Sequence, residues 1–418
     1  MINIGLLGFG TVGSGVYELL TKYQSISSCI NEDIAVSKIL VKNLNKKRDP
    51  NVPEELFTND FNDILNDPKI NIIIEAINGF SPAYSYLLKS LSNGKHVITA
   101  NKAVVARHLK ELLNLAEKKN KAFLFEASVG GGIPIIKPLK HHSVFNKINE
   151  IRGILNGTSN FILTQMKDNN LSFEEALVLA QKLGYAEINS SDDVDGYDVS
   201  RKLAILSTIA FKKVITEDLI PCRGIRSINS LDIKIFKNLN CTVKLIGTAS
   251  NHNNRLSASV EPVLVSNSST LSSIKNACNI ISVNGSIVGE LHFIGEGAGK
   301  NPTSNAIICD LIDIINGSYS SDNLSSKSII STETVHFISG EYYVRLTPII
   351  EDEKSTLIKL LQKAPWVCKT IECEDNIVVF TKKLSSSDLE KKLNNLSCIV
   401  KDYSFIRLDE NIQIKHPN

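Results

Sequence analysis

Over the first third of the chain, apolar runs of strand length alternate with amphipathic stretches, the rhythm of βαβ units around a parallel sheet. The pattern predicts strands at 2–7, 34–41, 70–75, 95–99 and 122–126, with helices near 12–23, 82–93 and 105–119. Asn93-Gly94 reads as the C-cap of the second helix. From about Gly130 the pattern changes to glycine-rich loops, polar helices around 173–183 and 198–211, and strands broken by Asn and Ser turns. The Ser-, Asn- and Asp-rich stretch 317–331 fits a linker. Beyond it the order is β (342–347), α (354–363), β (366–372), β (377–382), α (386–395), β (399–408), that of a ferredoxin-like βαββαβ domain. The fold class expected is α/β: a Rossmann-type doubly wound parallel sheet, an α+β substrate domain and the small C-terminal module. Boundaries are expected at 1–130 (completed by 295–316), 131–316, a linker at 317–340, and 341–418.

A chain of 418 residues exceeds what one core usually serves, which agrees with several domains. A formal net charge of +2 gives no electrostatic case for nucleic acid or an acidic membrane, so a small polar metabolite is the expected partner. The eight cysteines (29, 222, 241, 278, 309, 368, 373 and 398) form no C-x-x-C pair and no zinc pattern, and read as reduced thiols. No targeting segment is expected ahead of the first strand, and no apolar run approaches the roughly 20 residues that span a bilayer. The expected location is the cytoplasm.

Gly8-Phe9-Gly10-Thr11-Val12-Gly13 follows a predicted strand and opens a predicted helix. In that setting the glycines permit the tight turn and close approach to a pyrophosphate, and the helix N-terminus faces the phosphates. An NAD enzyme would offer a carboxylate to the ribose at the end of the second strand, yet that strand ends in Lys42-Asn43, with Lys46-Lys47-Arg48 behind. NADP(H) is therefore favoured, with NAD(H) left open. The Lys46–Arg48 run reads equally well as a solvated charged face.

Four further stretches need a common explanation: Thr99-Ala100-Asn101-Lys102-Ala103, Phe125 to Pro134, Gly153 to Phe161, and Leu183-Gly184-Tyr185-Ala186-Glu187 running to Asp198 and Lys202. With the glycine turn and Gly295 to Thr303, they closely resemble homoserine dehydrogenase over residues 1 to about 315. The resemblance implies reversible reduction of L-aspartate 4-semialdehyde to L-homoserine. Such a hydride transfer needs a group that takes and returns the hydroxyl proton, and two lysines sharing a pocket, Lys102 and Lys202, are a sensible pair. Asp198 lies four residues before Lys202, on one helix face; on spacing alone this is an ordinary surface ion pair. The resemblance makes Lys202 the general acid/base with Asp198 beside it, and places Lys102 against substrate and nicotinamide. Asn78 and Gly297 complete the expected cofactor set. Glu187 and Asp193 are the candidates for the substrate ammonium, and the Asn156-Gly157-Thr158 turn for its carboxylate. Glu126, with the backbone of Val129, Gly131 and Ile133, matches the family's site for a monovalent cation, sodium or potassium. Hard oxygen ligands suit such an ion.

Residues 341–410 resemble an ACT-type domain in element order. Where that family places Asp-x-Pro-Gly, this chain has Ile349 to Ser355, acidic and without Pro-Gly, so a structural or dimerising role is expected instead of effector binding. The resemblance also implies a homodimer paired through the substrate domain. Two other readings are weaker. Aspartate-semialdehyde dehydrogenase needs an activated cysteine that the chain lacks, and a catalytically idle sensor of NADP(H) or an amino acid would not need the lysine pair. His96, His141, His142 and Trp366 are read as core or solvated residues.

Overall fold

The structure is a computed structural model, and it describes residues 1–22, 32–321, 329–331, 334–350, 353–373 and 375–412. Cys29, Glu351 and Asp352, and part of the stretch expected as a linker lie outside the described residues. The chain divides into two compact units: 1–149 with 201–217 and 281–333, and 150–200 with 218–280 and 334–418. No helix among the described residues is long and apolar enough to cross a membrane.

The first unit contains a six-stranded parallel sheet: β1 (Ile2–Leu7), β2 (Ile34–Leu40), β3 (Phe57–Thr58), β4 (Ile70–Glu75), β5 (His96–Thr99) and β6 (Phe123–Leu124). Its order, β3-β2-β1-β4-β5-β6, is that of a dinucleotide-binding sheet, with the reversal of direction falling at β1 and β4. β1, β4 and β5 are mostly apolar and buried because both faces are covered there, while β2, which carries Ser37 and Lys38, is only part-buried over its first five residues. Ile4, Leu6, Ile72, Ile74 and Ile98 form one core with Ile307 and Leu311 of helix Lys300–Ile315. That helix packs on helix Thr11–Lys22 so closely that a Cβ on Gly15 would lie 2.4 Å from Ser304 Oγ. Gly94, in the left-handed region at φ +73°, ends helix Ala83–Ser92 as the Asn-Gly pair predicted.

Two predicted boundaries move for local reasons. Helix Lys102–Lys119 begins three residues early because the Asn101 side chain accepts the N–H of Val104 and caps it. The strand expected at 122–126 stops at Leu124, and Glu126 enters a short 3₁₀ turn, Glu126–Ser128, its carboxylate turned to backbone N–H groups of a following helix. Helix Gly157–Asp168, in the second unit, escaped prediction because Thr158 to Thr164 are all buried, which erases the polar face that periodicity detects.

The second unit is built on a hairpin of two twelve-residue strands, Cys241–His252 and Arg255–Ser266, turned at Asn253-Asn254 with both residues at positive φ. The C-terminal module has the βαββαβ order read from the sequence, its strands arranged Val400–Leu408, Tyr342–Pro348, Asn376–Thr381, Val367–Cys373. Its sheet is continuous with the hairpin: Val263 and Leu264 pair in parallel with Arg407 and Leu408. Buried ion pairs reinforce the seam. Glu261 accepts from Arg407 (2.8 Å) and Arg223 (3.0 Å), and Asp232 accepts from Arg345 (3.0 Å) and the Tyr343 hydroxyl (2.7 Å).

Candidate active site

The glycine turn has the geometry its spacing implied. Gly8 sits at φ +96°, and a Cβ there would come within 2.8 Å of the Ala76 carbonyl. At Gly13 a Cβ would lie 2.1 Å from Gly8 O, so that glycine lets the helix pack on the turn. At Gly10 a Cβ would meet nothing within 4 Å, which leaves the mouth of the turn open for a phosphate group to approach the backbone.

A cavity of about 250 Å³ opens beside this turn in the first unit. Thr11 and Val12 begin the helix on one side; Ala76, Ile77 and Asn78 follow β4; Ala100 and Lys102 follow β5; Gly131 and Gly297 to Gly299 close it; and Lys202 enters from helix Tyr197–Phe211. Lys202 is 7% exposed. The cavity thus brings together Thr11, Val12, Asn78, Lys102, Lys202 and Gly297, residues that the sequence places on five separate segments. Gly131 has to be glycine, since a Cβ would stand 2.6 Å from the backbone of Gly297.

Helix Tyr197–Phe211 carries Asp198 one turn before Lys202, and Asp198 is 3% exposed. Burial of both residues rules out the ordinary surface pair that spacing alone suggested. In the second unit the Asn156 amide donates to Asp193 (2.7 Å) and to Asp198 (2.9 Å), while its oxygen caps the helix at Ser159 N (2.8 Å). That amide is thereby committed to carboxylates, which leaves the N–H groups of Gly157 and Thr158 as the turn's donors. The Thr158 hydroxyl bonds the Tyr185 carbonyl (2.6 Å). Glu187 stands exposed in the loop after helix Phe173–Lys182, with no bond to the Asn156 group.

Lys42 is exposed just past β2. Arg48 folds back, donating to the carbonyls of Leu44 (3.2 Å) and Lys46 (2.8 Å) and to that of Asn43, and covers the Phe57 ring at 5.0 Å. Arg48 is thus the organiser of this loop, while Lys42, Lys46 and Lys47 face outward.

The Glu126 carboxylate accepts three backbone N–H groups, from Ile135 (2.6 Å), Ile136 (2.7 Å) and Lys137 (3.0 Å), at the start of helix Ile136–Phe145, which has no side-chain cap of its own. Asp310 in turn accepts the Glu126 N–H (2.9 Å). Burial raises the pKa of both carboxyls, and Glu126 pushes Asp310 further, with Lys140 opposing in each case.

Sequence reasoning passed over Glu75 and gave no role of their own to Thr99 and Asn101, quoted only as part of a motif; all three lie behind the cavity wall. The signal that finds them is position: each stands at or just past the carboxyl end of a parallel strand, where open α/β sheets bind their ligands.

Two family models match the chain: "Homoserine dehydrogenase, NAD binding domain" over residues 8–126 and "Homoserine dehydrogenase" over 134–312. The homoserine dehydrogenase of Synechocystis sp. is 40% identical over 353 residues, covering 83% of this chain and 80% of that one. The crystal structure of a homoserine dehydrogenase from Thiobacillus denitrificans superposes with a TM-score of 0.86 at 31% identity, covering 98% of each chain. A hyperthermophilic archaeal homoserine dehydrogenase in complex with NADPH matches 75% of this chain and 97% of its own, at 25% identity and a TM-score of 0.63.

Proposed function

The chain belongs to the homoserine dehydrogenase family, and from that membership we propose how its own residues carry the reaction. The reaction is the reversible NAD(P)H-dependent reduction of L-aspartate 4-semialdehyde to L-homoserine. The observation that carries the assignment of roles is the single cavity lined by the dinucleotide turn, Lys102 and Lys202.

When bound, the nicotinamide accepts or gives the hydride. Lys202 takes the homoserine hydroxyl proton at its Nζ in the oxidative direction and returns it to the aldehyde oxygen in the other. Asp198, one turn earlier, holds that lysine in position. Lys102, first residue of its helix, faces substrate and nicotinamide. Asp193 and Glu187 receive the ammonium and the N–H groups of Gly157 and Thr158 the carboxylate, with Asn156 fixing both aspartates. Replacing Lys202 by Met is expected to lower kcat about 10²- to 10⁴-fold, while NADPH binding, followed by its fluorescence, stays within a few-fold of the parent. Unchanged turnover would remove Lys202 from this role.

Lys42 favours NADPH over NADH, because a 2′-phosphate beside it meets a cation and no carboxylate stands there for a ribose hydroxyl. The NADPH complex of the archaeal relative supports this reading. Sodium or potassium beside Glu126 would be held by the carbonyl oxygens of Val129, Gly131 and Ile133 and would offset the Glu126 and Asp310 charges; exchanging both ions for tetramethylammonium is expected to lower the initial rate. The working form is a cytoplasmic homodimer, for which light scattering should give about twice the 46.0 kDa chain mass. The C-terminal module braces the second unit and does not bind an effector; threonine should leave the rate unchanged.

A further inference from the structure

One fully enclosed acid has no part in the scheme above. Glu75 is 0% exposed and stands at the end of β4, where the chain leaves the sheet to form the cavity wall. One carboxyl oxygen accepts the N–H of Ile77 (2.6 Å), and the other accepts the Thr99 hydroxyl. Thr99 Oγ1 in turn accepts the N–H of Asn101 (3.0 Å). The Asn101 amide closes the circuit by donating to the carbonyls of Ile77 (3.0 Å) and Gly79 (2.7 Å), while its oxygen caps the helix that starts at Lys102. A ring of hydrogen bonds thus ties the loop after β4 to the loop after β5, and these two loops present Asn78 and Lys102 to the cavity.

We propose that Glu75 is a positioning residue for the dehydrogenase reaction, locking the Ile77–Gly79 and Ala100–Lys102 segments together so that Asn78 and Lys102 meet the nicotinamide in fixed places. The inference rests on the reading of this cavity as the cofactor site. Packing alone does not account for a carboxyl here. The β-partners of Glu75 are Leu7 on β1 and Thr99 on β5, so no opposite charge sits across either ladder. Burial, opposed by the bonds from Thr99, Ile77 and Asn101, pushes the group up to about 7. An apolar residue of equal length would escape that cost, so what the carboxyl adds is the pair of bonds that join the loops.

The test compares Glu75→Met, Glu75→Gln and Thr99→Val in the full chain, with NADPH dissociation constants from fluorescence titration beside kcat and KM for each substrate. Glu75→Met and Thr99→Val should weaken NADPH binding at least tenfold and lower kcat, at a Tm no lower than the parent's for Glu75→Met. Glu75→Gln, which keeps an acceptor for Ile77 and a polar partner for Thr99, should stay within threefold. A Glu75→Met protein that binds NADPH within threefold of the parent overturns the proposal. Should that variant fold poorly, Thr99→Val, lacking a single hydroxyl, decides by the same threshold. A parent chain that binds NADPH without oxidising homoserine would sink the functional reading, and the dissociation constants would still decide the role of Glu75.

Discussion

The residues that touch the cavity were largely legible as motifs, because their types are dictated by chemistry: glycine where a backbone must approach, and a lysine pair where the proposed proton transfer would occur. Thr11, Val12, Lys102, Lys202 and Gly297, which the family resemblance singled out, line one cavity. The carboxyl behind them was not legible, since Glu75 reads as the polar end of a strand until its partners are known. The buried carboxyl has a thermodynamic signature of its own. Its folded-state pKa of about 7 lies above the usual 4.5, so folding disfavours the ionised form. The stability that the neutral acid contributes is complete below pH 4.5 and is lost as pH rises to about 7. Glu75→Gln should therefore match the parent in urea unfolding near pH 4.5 and exceed it above pH 7 by on the order of 3 kcal/mol. Equal gaps at both ends of that range would contradict the buried titration.

At the level of elements, alternation of apolar runs located β1, β2, β4 and β5 to within a residue, but gave no sign of the two-residue β3. It failed where an element has no solvent face, as in helix Gly157–Asp168, and where a residue of the expected strand turns its side chain to a later segment, as Glu126 does. The loop after β2 shows a third limit. Its basic run divides by function, with Arg48 spent on the carbonyls of Asn43, Leu44 and Lys46 while Lys42 stays exposed. Lys42→Ala should raise KM for NADPH roughly tenfold, the loss of one charge-assisted contact, and leave KM for NADH within twofold. Parallel losses for both cofactors would show that the loop only shapes the site.

At the scale of the whole chain, the order of elements in the C-terminal module was readable, but its attachment was not: pairing in a sheet depends on which edges meet, and two ladder positions leave no periodic trace. Strand Val400–Leu408 lies inside its sheet, between Arg255–Ser266 and Tyr342–Pro348. Truncation before Glu341 removes Arg407 from Glu261 and both Tyr343 and Arg345 from Asp232. Breaking one such buried pair costs about 3–5 kcal/mol, so the shortened chain should precipitate or expose apolar dye-binding surface. A soluble, fully active truncation with native Tm would show the module to be dispensable.

The same seam imposes an order on synthesis. Val263 leaves the ribosome 144 residues ahead of its partner Arg407, so the edge of Arg255–Ser266 must wait, unpaired, while the intervening chain is made. During that interval it is a template for any neighbouring strand, including the same edge on another nascent copy. Yield of the folded protein should therefore depend on translation speed and chaperone supply more steeply than its final stability suggests.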